Sequence, residues 1–293
     1  MQIRHLRHNK IDYALWDKCI TNAKNCLVYA STWYLDVVSP GWEALVTSDY
    51  KYIMPLPVKR KFGIKYIVQP VLTQQLGIFS EEEIDSEIID SFIRAIPYCS
   101  YEINLNEGNC TNKAEKRPNL LINLNFPYEY LKSNFTVNTK RNIAKSEQKQ
   151  LTIDWDFDVD EFLRLFFQNE RDFLTTNKEI IKKLIYIGVE NNSISICCVR
   201  TPELKIVSAL CLLHSGKRII YLLPFSTRKG KEFSAMFFLV NELIKNHAAT
   251  NKILDFEGSK VEGVYRFYKG FGAGLRSYYL IKRFRPTFLK GKL

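Results

Sequence analysis

In LTIDWDF (151–157), the apolar residues Leu151, Ile153, Trp155 and Phe157 alternate with polar ones, the period of a half-buried strand. Asp158 then opens an acidic first turn, and Phe162, Leu163 and Phe166 lie on one helical face. Two β-branched runs, SISICCVR (193–200) and KIVSALCLLH (205–214), and a third, RIIYLLPF (218–225), predict an antiparallel meander with turns at TPEL and HSGK. From Phe233 the apolar positions 233, 236, 237, 240, 243 and 244 follow a 3.6-residue period. The strand KILDFEG (252–258) comes next, so strand, helix and strand predict a parallel crossover. VYRFYKGFG predicts a short helix ending at Gly272, and LRSYYLIKR (275–283) a last strand.

The first half repeats this layout without repeating the sequence. Helices are predicted at 10–24 and at STWYLD, followed by strands WEALVTS (42–48), KYIMPLPVK (51–59) and IKYIVQP (64–70). A helix over 81–95 leads into strand SYEINLN (100–106). Between the halves, PYEYLKSNFTVNTKRNIAKSEQK (127–149) predicts a long helix whose basic face carries Lys140, Arg141, Lys145 and Lys149.

Composition changes this picture in one respect. The 293 residues carry a net charge of +11, but residues 266–293 contain eight Lys or Arg and no acid. The remainder holds 34 basic and 31 acidic side chains, so the positive field gathers at the C-terminus and suits a nucleotide-bearing cofactor, an RNA end or an anionic lipid surface, unless the last residues are only a solvated basic tail. Smaller clusters stand at 59–61 and 228–231. No run of apolar residues is long enough to span a bilayer, and the N-terminus lacks an apolar signal core. The seven cysteines are scattered without a CxxC pair. Together these features predict a cytoplasmic location. His5 and His8 have metal-like spacing but no partner cluster, so no metal is expected.

The order strand–strand–strand–helix–strand–helix–strand, with DFEGS…FYKGFGA as its most specific piece, resembles the GNAT acyltransferase superfamily. Two such units joined by the basic NTKRNIAKSEQK segment resemble the tandem FemAB-like transferases. The resemblance implies an α+β fold of two GNAT-like units, each a mixed, mostly antiparallel sheet flanked by helices. Residues 1–126 would form a degenerate first unit, 127–149 a linking helix, and 150–293 the unit with the active site. It also implies that strands 218–225 and 252–258 run parallel and then splay, leaving backbone groups for a pantetheine arm to satisfy.

Within that frame the resemblance places acyl-CoA against Ser226, Arg228, Lys229, Gly230, Lys231, Phe256 and Ser259. Basic residues and a glycine before a helix suit an anion, although the family's usual Gly-x-Gly/Ala spacing is shifted here and Glu232 replaces the second small residue. Tyr268, in register with Gly272 and Ala273, would protonate the departing thiolate, or is one more packed aromatic. Glu257 is a general base, a binder of an amine cation, or a strand-end cap. Gln69, Gln74 and Gln75 either line an acceptor pocket or satisfy buried backbone. Arg141 and Lys269 complete the candidate substrate contacts.

The expected activity is N-acyl transfer from acyl-CoA, or a related thioester, to a small-molecule or peptide amine. The alternatives are a FemAB-like transferase that uses aminoacyl-tRNA on a cell-envelope precursor, and a non-catalytic binding protein on a decayed GNAT fold. The basic C-terminal segment favours tRNA. Against it, the Phe-Lys pair common in tRNA-dependent members is Phe267-Tyr268 here, with lysine displaced to Lys269.

Overall fold

The computed structural model describes residues 1–169, 177–259 and 261–284, and divides them into two compact units. Unit 1 comprises residues 1–118 and the segment from Ser277 onward; unit 2 comprises Asn119–Arg276. This division is not the contiguous one expected from the sequence. The chain crosses between units inside two strands, β8 (Glu115–Asn123) and β14 (Gly274–Arg283). Arg285, Lys290 and Lys292 of the basic segment lie outside the described residues.

Unit 1 opens with β1 (Ile3–Leu6), α1 (Tyr13–Asn22) and α2 (Thr32–Val38). The strands β2 (Glu43–Thr47), β3 (Tyr52–Leu56), β4 (Val58–Lys61), β5 (Ile64–Val68) and β6 (Phe79–Ser80) follow, then α3 (Ser86–Ala95) and β7 (Tyr101–Leu105). An antiparallel sheet runs in the order β1-β2-β3-β6. β4 pairs antiparallel with β5, β5 parallel with β7, and β7 antiparallel with Tyr279–Arg283 of β14. The single strand expected over 51–59 is broken at Pro57, which has no N–H to continue a ladder. Asp12 and Asp85 cap α1 and α3 by accepting from Leu15 N and from Glu87 N and Ile88 N. The aromatic centre includes Trp16 and Trp42, fully buried with ring centroids 4.7 Å apart.

Unit 2 contains α4 (Tyr128–Ser133), α5 (Val137–Glu147), β9 (Thr152–Asp154), α6 (Val159–Asn169), α7 (Lys178–Glu190), β10 (Ile194–Arg200), β11 (Ile206–Ser215) and β12 (Arg218–Ser226). It continues with α8 (Arg228–Glu232), α9 (Ala235–His247), β13 (Ile253–Asp255) and α10 (Glu262–Gly270). The strand order is β8-β13-β12-β11-β10-β9, with β12–β13 the single parallel pair among the described residues of this unit and the meander β10-β11-β12 antiparallel as the sequence predicts. α9 packs on β10 and β11 and buries Leu239, Val240, Leu243 and Ile244.

The predicted linking helix is two helices. Thr136 adopts an extended conformation, its hydroxyl accepts from Thr139 N to start α5, and its own N–H donates to the Gly270 carbonyl. Those bonds satisfy donors that a continuous helix would otherwise use, so the break is built into the sequence. α5 packs on α9 and α10 and is part of unit 2, not a linker. α7 and β8 stand outside the elements expected from the sequence, and the EKRP start of β8 carries three charges and a proline.

Each half therefore has one parallel crossover, β5–α3–β7 and β12–α9–β13, and its own last strand pairs in the other unit. Ile281 is 5% exposed and faces the fully buried Ile103 across the β14–β7 ladder. Ile281→Ala is expected to destabilise the fold by about 2–4 kcal/mol. Urea denaturation measures that cost, and amide exchange in β7 should rise first.

Candidate functional site

Strand pairing defines the site. β12 and β13 are in parallel register at three positions only, Arg218–Ile253, Ile219–Leu254 and Ile220–Asp255. The Asp255 carboxylate fixes this end, with Oδ2 taking Arg218 Nη1 at 2.7 Å and Oδ1 taking Glu257 N at 2.9 Å. β13 then stops, because Glu257 and Gly258 take left-handed conformations, φ 58° and 71°. β12 runs on to Ser226, and a β-bulge at Leu222 interrupts its ladder with β11: Leu212 faces Tyr221, while Cys211 faces Leu223.

Past the bulge the edge can be read residue by residue. Thr227 N donates to the Val207 carbonyl at 2.9 Å, so in the antiparallel ladder Phe225 and Leu223 also turn their backbones toward β11. Pro224 and Ser226 consequently turn theirs toward the side where β13 has ended. That edge offers the Pro224 carbonyl and both backbone groups of Ser226, but Pro224 supplies no N–H.

A cavity of about 460 Å³ lies there, and α5, β12, the turn into α9, and α10 all contribute to it. Its walls are largely apolar: Tyr221, Pro224, Phe225, Met236, Phe237, Val264, Phe267 and Tyr268. The polar rim includes Asn142, Ser226, Lys231 and Ser234, and Lys231 is the single charged side chain among the described lining residues. Ser234 joins α8 to α9 at φ 56° and donates its hydroxyl to Asn142 Oδ1 at 2.8 Å, tying α5 to the rim.

Tyr268 is 7% exposed and stacks on Phe256 at 4.6 Å with an 18° interplanar angle. Tyr221 is 4% exposed and meets the Tyr268 ring edge-on at 5.6 Å. Among the described residues neither hydroxyl has a hydrogen-bond partner, although both side chains line the cavity. Burial, reinforced by the nearby Glu257 charge, holds the Tyr268 phenol neutral well beyond its ordinary range. Burial, and then Tyr268, does the same for Tyr221. Burial also pushes the Cys197 thiol of this unit up to about 12, which leaves it a poor nucleophile at neutral pH.

No family model matches the sequence, and no curated protein matches it. Solved structures do. FemX aligns over 99% of both chains at a TM-score of 0.67 and 12% identity. L-PGS from Bacillus licheniformis aligns over 96% of this chain and 94% of its own at 0.54 and 11%. A tandem GNAT protein from the clavulanic acid biosynthesis pathway aligns over 96% and 98% at 0.51 and 6%. The chain has a tandem GNAT fold of the FemAB-like kind.

On the GNAT frame the candidate residues separate. Ser226, Gly230, Lys231 and Tyr268 line the cavity. Phe256 backs Tyr268 from behind, and Ser259 accepts from Val261 N at the start of α10. Glu257 is half-buried and is not a lining residue. Arg228 is 95% exposed and paired with Glu232, and Lys229 lies over the Phe233 ring. Gly230 has a packing reason: a Cβ there would stand 2.0 Å from the Val207 carbonyl oxygen, and its N–H already serves the Thr227 cap. Lys269 donates to the Ala273 carbonyl, and Arg141 to Asn138 on the exposed side of α5. Gly272, at φ 77°, ends α10 in the conformation glycine tolerates best.

Gln69, Gln74 and Gln75 belong to unit 1, and Gln69 and Gln75 serve its backbone. Gln69 accepts from Asn104 N and donates to the Thr73 carbonyl; Gln75 accepts from Glu107 N and donates to Gln74. His5 meets Glu43 at 2.6 Å, and His8 Nδ1 lies 3.2 Å from the Trp42 carbonyl. Sequence reasoning missed Tyr221, Pro224, Asn142 and Ser234. A proline inside the run RIIYLLPF was the one available signal, because proline within a strand marks a free edge or a bulge.

The Tyr268 phenol gives a pH signature. An unfolded chain loses that proton near the ordinary value of 10.0, whereas the folded chain keeps it to higher pH. Its contribution to stability is therefore intact below pH 10 and falls as pH rises above it. Between pH 9 and pH 11 the urea midpoint of the wild type should fall more than that of Tyr268→Phe.

Proposed function

We propose that the protein is an N-acyltransferase that moves an acyl group from acyl-CoA, or a related thioester, to the amine of a small molecule or peptide. One observation carries this reading: an unpaired strand edge opens on an apolar cavity beside a buried, neutral, unpartnered phenol, Tyr268. The edge suits an extended amide-bearing arm, which would hydrogen-bond to the Ser226 N–H and the Pro224 carbonyl as an added strand does. Lys231, at the rim, suits the anionic end of such a donor.

The amine nitrogen attacks the thioester carbonyl carbon, the new C–N bond forms, and the C–S bond breaks. Tyr268 gives its proton to the departing sulfur. The surplus proton on the amine passes to Glu257, directly or through water, and returns from there to the Tyr268 phenolate. The products are an amide and a free thiol, and both side chains end as they began. Glu257 thereby acts behind the tyrosine, consistent with its place outside the lining.

A thioester with an uncharged acyl group fits this cavity better than an aminoacyl ester, because no carboxylate stands among its described lining residues to pair an α-ammonium. The aminoacyl-tRNA reading rests instead on the exposed Lys140 and Arg141 of α5, next to the rim residue Asn142. Ribonuclease-sensitive transfer would favour it.

Tyr268→Phe removes an acid whose hydroxyl makes no hydrogen bond to the protein. It is expected to lower kcat at least about a hundredfold while moving the stability by less than about 0.5 kcal/mol at neutral pH. Steady-state turnover of acetyl-CoA with a panel of amines, beside urea denaturation, measures both. Undiminished turnover in the variant would remove Tyr268 as the acid.

A further inference from the structure

We infer that the phenol of Tyr221 donates the hydrogen bond that polarises the donor carbonyl, taking the place of a strand N–H that Pro224 removes. The inference rests on the acyl-transfer reading above and identifies a residue that reading does not use.

Attack on a thioester places negative charge on the carbonyl oxygen, and a preorganised donor aimed at that oxygen lowers the barrier. A strand edge facing the donor is a ready source of such donors. Here the edge past the Leu222 bulge is poor in them, because Pro224 has none and Ser226 has one. One backbone N–H cannot both anchor the arm and polarise the carbonyl.

Tyr221 supplies the missing group. It stands on β12 immediately before the bulge, its ring 5.6 Å from both Phe256 and Tyr268. It is buried, lines the cavity, and has no hydrogen-bond partner among the described residues. A hydroxyl that lines the cavity without a protein partner is free to donate to a ligand oxygen that reaches it. A packing role alone would be filled by phenylalanine, as at the neighbouring Phe225, Phe256 and Phe267. The two phenols then divide the work, with Tyr221 on the carbonyl oxygen and Tyr268 on the sulfur.

The test uses the full-length protein and two probes carrying a ¹³C-labelled carbonyl: acetyl-CoA, and the small thioester S-acetyl-N-acetylcysteamine, which lacks the nucleotide. The carbonyl stretch and the Kd are measured for the wild type, Tyr221→Phe, Tyr268→Phe and the double variant Tyr221→Phe/Pro224→Ala. The bound carbonyl band should move to lower wavenumber in the wild type and in Tyr268→Phe. In Tyr221→Phe that shift should vanish and the Kd rise about tenfold. The added Pro224→Ala should restore part of the shift, since it returns an N–H to the edge.

A carbonyl band unchanged by Tyr221→Phe, with both probes bound, overturns the inference and leaves acyl-CoA as the donor. A Tyr221-dependent shift with the small thioester, but no binding of acetyl-CoA, sustains the inference and removes CoA from the reading. Binding of neither probe overturns both.

Discussion

A β-strand edge exposes N–H and C=O groups that must be hydrogen-bonded by something, and unit 2 half-buries such an edge with no neighbouring strand among the described residues. β12 and β13 share three paired positions, held at one end by the buried Arg218–Asp255 ion pair. The same Asp255 then takes the Glu257 N–H, where the chain turns left-handed and leaves the sheet. A left-handed non-glycine residue costs on the order of 1–2 kcal/mol, and the Asp255 bond helps to hold it. The cavity, the stacked Phe256 and the placement of Tyr268 all follow from that exit, because α10 begins only after it.

The walls set the chemistry. Phe256 and Phe267 pack on the phenols with ring centroids at 4.6–5.8 Å, Phe237 packs in turn on Phe267, and burial keeps Tyr221 and Tyr268 protonated. A protonated phenol can donate, and a phenolate cannot. The half-buried Glu257 strengthens this by repelling a second negative charge on Tyr268. The basic groups stay at the rim, where Lys231 meets solvent. A donor with an anionic head and an apolar reacting end matches that gradient from rim to floor.

Periodicity made most of unit 2 legible. The alternation in 193–225, the helical face from Phe233 and the parallel crossover are consequences of side-chain spacing, which a sequence displays directly. Tyr268 was legible because it sits in a motif. Tyr221 was not, because its importance depends on the absence of a partner, and that is a property of the packed structure. The extra residue at Leu222 leaves no trace in the hydrophobic pattern, and Gly230 looked like anion chemistry although the Val207 carbonyl explains it. The exchange of β8 and β14 between units was hidden for another reason: pairing partners distant in sequence carry no local signal.

The two halves meet the same edge problem differently. In unit 1, β5 leaves the parallel ladder after Val68, and β7 runs on to Leu105 with its edge uncovered. There the chain repairs the gap itself. Gln69 lends its side-chain oxygen to Asn104 N, and Leu76 returns to bond Asn104 O and Asn106 N in a parallel bridge with Leu105. Gln75 and Asn106 satisfy the backbone around it. In unit 2 the corresponding stretch of β12 has the bulge, the proline and the cavity, with no segment of the described residues folded back into it. A half whose own amides close the gap has its edge groups paired, and a half that leaves it open keeps them unpaired. This contrast accounts for the backbone bonds of Gln69 and Gln75 in the first half, and for the open cavity beside Tyr221 and Tyr268 in the second.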